Sequence, residues 1–237
     1  MLTFTIPAPA LARLSRLALA TEATQTSSTR HIALRITPTA CRFSATDGRL
    51  LASILHQITD LVGEPIDVLL DCAQFTTACR LLASYKVRQV AVSVDATEVR
   101  FSAGLVSAIV RRHEGVFPPF EHIFSKTAGQ RWVPCVSSFH PGLIATAQQI
   151  AGKTTLLFST PVHPESALLR LWSSPRPDEM LASSLLTDVQ RYIQAPAYWA
   201  DHELALLVMP IRRSDGEPQL DLGRFSCQSV SAQATAA

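Results

Sequence analysis

Two thiols seven residues apart in "DCAQFTTAC" (71–79) and seven histidines are the side chains of this 237-residue chain best suited to nucleophilic, redox or metal chemistry. Spacing argues against each use. Cys72 and Cys79 stand two helical turns apart on one face, which is how a helix buries small apolar groups. With Cys41, Cys135 and Cys227 they make an odd, scattered set without a C-x-x-C pair or matching histidines, so neither a zinc site nor a disulfide scaffold is expected. The histidines are dispersed, and "HPGL" (140–143) and "HPES" (163–166) read as turns or helix starts. Asp47 could be imagined as a catalytic acid, but in "ATDGRLLA" (45–52) it precedes Gly48 between two β-prone runs, the pattern of a tight hairpin. Nine glycines form no Gly-x-x-x-x-Gly-Lys loop and no Gly-x-Gly-x-x-Gly, and Gly-x-Ser-x-Gly is missing. Nothing assembles a nucleophile, a base and an oxyanion donor. A non-enzymatic protein without metal or cofactor is expected.

Composition sets the bounds. Hydrophobic residues make up 47% of the chain and charged ones 17%, enough for one large or two ordinary cores, and the net charge of +2 does not by itself announce nucleic acid. Any basic surface must come from placement. The N-terminal "MLTFTIPAPALARLSRLALATEA" lacks a basic n-region and is interrupted by Arg13 and Arg16, so a signal peptide is not expected. No run approaches the ~18 apolar residues of a membrane helix. The expectation is a soluble protein of the reducing cytoplasm.

The elements that must position these residues are clear in the first half. "LTFTI" (2–6) alternates as a strand, and apolar spacing predicts a helix over 8–23. "HIALRITP" (31–38), "ACRFSAT" (40–46), "RLLASILHQ" (49–57) and "PIDVLL" (65–70) are strands. Asp71 is a natural N-cap, with Gln74 at capping-box spacing, for a helix burying Phe75, Ala78, Cys79 and Leu82. Residues 87–112 are strands again, with a turn at "DATE". The order then restarts. "RWVPCVSSFHPGLIATAQQIAG" (131–152) repeats strand and helix, with Pro141 and Leu143 standing as Pro9 and Leu11 do. Strands at "TTLLFSTP" and "ALLRLWSS", a helix from "DEMLASSLLTDVQRYIQA" and a last strand in "ELALLVMPIRR" follow. The fold class expected is α+β, two related domains (1–125 and 126–213) joined near "FSKTAGQR", the second short of strands. A polar tail, 214–237, is expected to be disordered.

Three segments carry more detail than structure requires: "SATDGRLLAS" (44–53), "EGVFPPFEHIF" (114–124) and "LALLVMPIRR" (204–213). Together, in this order, they resemble the bacterial sliding clamp, the β subunit of DNA polymerase III, where "ATDGHRLA", "FPDY"-like and "VMPMR"-like segments occur in the middle and last of three domains. Residues 1–125 match the middle domain throughout. Residues 126–213 match the last domain at its first helix and terminal strand, its interior shortened.

The resemblance implies a DNA clamp fold in which each domain packs two helices on antiparallel sheet, the second domain here reduced. It implies a processivity factor that encircles double-stranded DNA without reading its sequence and meets DNA polymerase and clamp loader through short apolar peptides. DNA-facing candidates are Arg13, Arg16, Arg80, Lys86, Lys153 and Arg191; ordinary solvated helix faces would look the same. The peptide cleft between the two domains would be walled by Arg30, Ala33, Thr46, Gly48, Arg49, Leu50, Leu51, Pro118, His122, Ile123, Leu207, Met209, Pro210, Ile211 and Arg212. Plain core is the competing reading for Leu51, Ile123 and Leu207. Departures from the family pattern bear on that cleft. The usual His-Arg-Leu is Arg49-Leu50-Leu51, which turns a polar rim position apolar. A common basic residue is His122, and Ala33 replaces a larger side chain, which would deepen the pocket. A ring of six domains implies a homo-oligomer, a trimer before a dimer or monomer. The alternative is a clamp-like peptide-binding module that never closes around DNA.

Overall fold

Alternation of buried and more exposed residues along several strands of the first half gives the sheet of this protein one buried face and one outer face. The computed structural model describes residues 1–21, 30–118, 131–134, 139–152, 156, 158–162, 197–200 and 203–208. Its strands are β1 (Leu2–Pro7), β2 (His31–Ile36), β3 (Ala40–Thr46), β4 (Leu50–Gln57), β5 (Ile66–Asp71), β6 (Gln89–Val94), β7 (Glu98–Ala103) and β8 (Val106–His113). Four more follow: β9 (Arg131–Pro134), β10 (Ser159–Val162), β11 (Ala197–Ala200) and β12 (Leu204–Val208). All pair antiparallel in the order β1-β6-β7-β8-β5-β2-β3-β4-β12-β11-β10-β9. The last strand of the expected second domain thus extends the sheet of the first, lying on β4 with Leu207 opposite Leu51.

The helices cover the inner face. In β4, Leu50, Ala52 and Ile54 point inward with Phe43 of β3 and Leu34 of β2. Helix α2 (Cys72–Ala83) presses Phe75, Ala78, Cys79 and Leu82 onto them, as its spacing predicts. Phe75 stacks on Phe43 with centroids 5.5 Å apart and meets Phe101 of β7 edge-on at 5.8 Å, so one ring ties both halves of the sheet to the helix. Burial pushes the Cys79 thiol well above its ordinary range, and Cys41 up to about 12, as expected of thiols serving as core. Helix α3 (Pro141–Ala151), capped by His140, packs on β4 and β12 and buries Ala147, Ile150 and Ala151.

Two local expectations need correction. The helix predicted over 8–23 is α1 (Ala10–Leu14) followed by a 3-10 turn at Leu17–Ala20. Ser15 donates to the Ala12 carbonyl at 3.0 Å and Thr21 to that of Ala18 at 2.7 Å, and such hydroxyl bonds three residues back accompany the tighter turns. The capping box is one-sided. Asp71 accepts from the Gln74 amide at 2.8 Å, but the Gln74 side chain turns outward and accepts from the Arg111 amide of β8 at 2.9 Å. Strand β11 was not expected. The strand at 167–174, the helix at 178–195 and the tail lie outside the described residues. No described helix is long and apolar enough to cross a membrane.

Candidate functional site

The Asp47-Gly48 hairpin is built as its chemistry demands. Gly48 has φ +84°, and the Asp47 carboxylate accepts from the amides of Arg49 (2.7 Å) and Leu50 (2.6 Å) while Thr46 Oγ1 accepts from that of Gly48 (3.0 Å). Asp47 is itself buried, its charge met by these amides. The turn fixes the register of β3 and β4 and thereby what the outer face presents.

That face is ordered in rows. Thr46, Leu51 and Leu207 stand directly opposite one another on β3, β4 and β12. They are 9%, 5% and 3% exposed, yet Leu51 and Leu207 lie outside the inner hydrophobic cluster. They form a separate apolar strip at the junction of the two expected domains. Leu50 is a correction: it is turned the other way, into the inner cluster, so the substitution there adds core rather than rim.

The next row holds Leu69, Ala33, Ser44 and Ser53, the two hydroxyls 2.9 Å apart. The one after holds Asp67, Arg35 and Arg42. Leu69, Ala33 and Ser44 of the first row and all three residues of the second floor a cavity of about 560 Å³, walled by the segment from Arg112 to Pro118. Its size suits a few side chains of a ligand. One end is apolar, with Ala33, Leu69, Phe117 and Pro118. The other carries Arg35, held two-pronged by Asp67 at 2.8–3.1 Å, and Arg42. Where His113 enters, its ring lies 4.3 Å from that of His31, with Nε2 3.7 Å from the Asp71 carboxylate.

Of the expected cleft residues, Ala33 and Pro118 line this cavity, and Thr46, Leu51 and Leu207 form the adjoining strip. Gly48 and Arg49 are exposed at the hairpin tip, and Arg30 is exposed at the entry to β2. His122, Ile123, Met209, Pro210, Ile211 and Arg212 lie outside the described residues. Missed from the sequence were Arg42 and the wall from Arg112 to Phe117. Arg42 alternates with core residues on β3 and so faces outward, the only local sign of it.

The basic inner-helix residues are placed unequally. Arg80 and Lys86 are exposed. Arg13 is half-buried, and its Nη1 donates to Glu203 Oε2 at 3.0 Å. The Arg16 guanidinium lies over Gly152 at the C-cap of α3, where the helix dipole favours a cation. Lys153 and Arg191 are outside the described residues. Glu203 also faces His56 Nδ1 at 3.8 Å. His56 is buried, its Nε2 has no hydrogen-bond partner among the described residues, and burial lowers its pKa, Glu203 opposing and Arg13 reinforcing that shift. Among the described residues no three metal-ligating side chains converge.

Among the described residues, one continuous antiparallel sheet with its helices packed on the inner face is the arrangement of the DNA clamp fold. No protein-family model and no curated protein matches the sequence. Solved structures do match. The chain resembles the DNA polymerase III β subunit of Thermotoga maritima with TM-score 0.61 and 13% identity, covering 90% of this chain and 66% of that one. It resembles the β subunit of Pseudomonas aeruginosa with TM-score 0.57 and 16% identity, covering 90% and 67%. A P. aeruginosa sliding clamp bound to griselimycin matches at 0.52 and 17%, covering 89% and 65%. The chain thus spans about two thirds of the length of these clamps.

Proposed function

We propose that this chain is a sliding clamp component: a processivity factor that surrounds double-stranded DNA as a homo-oligomer and holds partner proteins by short apolar peptides. The observation that carries the reading is the outer face at the β4–β12 junction. There an apolar strip of Thr46, Leu51 and Leu207 adjoins a cavity lined by Ala33 and Pro118, the residues that the clamp resemblance selects for the partner cleft. The clamp fold over 90% of the chain supports the DNA role. Two domains, 1–125 and a reduced 126–213, are part of this proposal, as are Met209 to Arg212 on the cleft's far wall. Polymerase and loader are the partners proposed.

Titration of the purified chain with a fluorescein-labelled Leu/Phe peptide tests the cleft. Leu207→Ala and Leu51→Ala are expected to weaken binding about tenfold or more, as for truncated anchors of an apolar pocket. Unchanged affinity in both would reject the assignment. Light scattering tests the ring, and a stable monomer at micromolar concentration speaks against it.

The second reading, a peptide-binding module that does not close on DNA, is favoured by one observation. Arg13 is engaged by Glu203, leaving less charge for phosphates. Duplex binding that weakens steeply with salt separates the two.

A further inference from the structure

Arg42 is a half-buried residue on the floor of the outer cavity, and its guanidinium makes no ion pair or hydrogen bond within the protein's described residues. Its neighbours are otherwise satisfied. Arg35, directly across the strand pair, is neutralised by Asp67, and Arg112 donates to the Asp95 carbonyl. A cation withdrawn from water without a counter-charge is costly, and the cost is recovered when a carboxylate arrives with two parallel acceptors. The apolar end of the same cavity begins one row away. Ser44, opposite Ala33, is two residues along β3 from Arg42, a spacing of about 7 Å. Side chains i and i+2 of an extended peptide point the same way at that same separation.

We infer that this cavity is an acidic-residue pocket of the proposed partner cleft. It holds an apolar side chain against Ala33, Leu69 and Pro118 while the carboxylate of an Asp or Glu two positions away pairs with Arg42. The pocket rests on the peptide-binding reading above and specifies which peptides that site prefers. Ala33 makes room for the anchor, and Arg42 selects for charge. The Glu114 carboxylate on the cavity wall sets the register against an acid at the wrong position by repulsion.

The test is fluorescence anisotropy on the full chain with labelled peptides carrying a Leu-Phe anchor and Asp two positions after or before the Phe, each beside its Asn twin. The expected result is that one Asp peptide binds about tenfold or more tighter than its Asn twin, a preference that Arg42→Gln abolishes and Arg42→Lys restores in part. Circular dichroism melts check that both variants fold. Equal binding of Asp and Asn peptides by the wild type overturns the pocket and leaves the cleft intact. Equal weakening of both by Arg42→Gln makes Arg42 structural and overturns it as well. If no Leu-Phe peptide binds, both the pocket and the proposed function fall. Duplex DNA displacing the Asp peptide from wild type but not binding Arg42→Gln would assign the guanidinium to phosphate instead.

Discussion

His56 shows how a single buried side chain can report on the joint between distant parts of the chain. It sits on β4, faces Glu203 at the start of β12 and Arg13 on α1, and lies opposite Cys41 on β3. Desolvation holds its folded pKa below the ordinary 6.5, so the fold carries it neutral. The unfolded chain takes up a proton first as pH falls below about 6.5, and the folded one follows only at lower pH. Stability is therefore full above pH ~6.5 and declines as pH drops from there toward the folded value. Urea unfolding at pH 8, 7, 6 and 5.5 should show this decline in the wild type and a flatter profile in His56→Gln. An identical slope in both would mean another group titrates. No reading of the sequence reveals this group, because Glu203 lies 147 positions from His56 and only the sheet register brings them together.

At the scale of elements, local chemistry was a good guide wherever one short signal decided the outcome. Asp-Gly between β-prone runs specified the hairpin, Asp71 specified the start of α2, period-2 alternation specified β1, and turn chemistry between short apolar runs specified β2 to β4. The predicted 8–23 helix failed because Ser15 and Thr21 bond back to the preceding turn, an effect that apolar spacing does not register. Strand β11 was missed since "AYWA" is short and follows Pro196. The cleft was only half legible. The Leu51–Leu207 strip follows from the terminal segment's resemblance, whereas the Arg42 pocket needs the fold of residues 112–118 above it. The hairpin also gives the clearest stability test. Asp47→Ala removes a buried carboxylate accepting two backbone amides and should cost about 1–3 kcal/mol in chemical denaturation. A change below a few tenths would show that the turn is set by Gly48 alone.

For the whole molecule, the decisive feature is the strand that crosses from one expected domain to the other. β12 has β4 on one side and β11 on the other, so Ala205 to Val208 lie between two ladders. Ala205 opposes Ser53, and a proline there removes a donor and restricts the backbone. Ala205→Pro should speed amide exchange at Leu51 and Ser53 about tenfold or more while Val92 and Phe101, on the far part of the sheet, stay protected. Equal acceleration everywhere would mean that the sheet opens as one unit.

The same pairing has a temporal side. Leu206 meets Ala52 only after about 150 further residues have been made. At ribosomal speeds of about 5–20 residues per second, the free edge of β4 waits on the order of ten seconds for its cover. During synthesis, then, this chain exposes an unpaired strand edge of the kind that recruits chaperones or stray strands. Its yield in a cell should depend on translation rate and chaperone supply as much as on the stability of the finished fold.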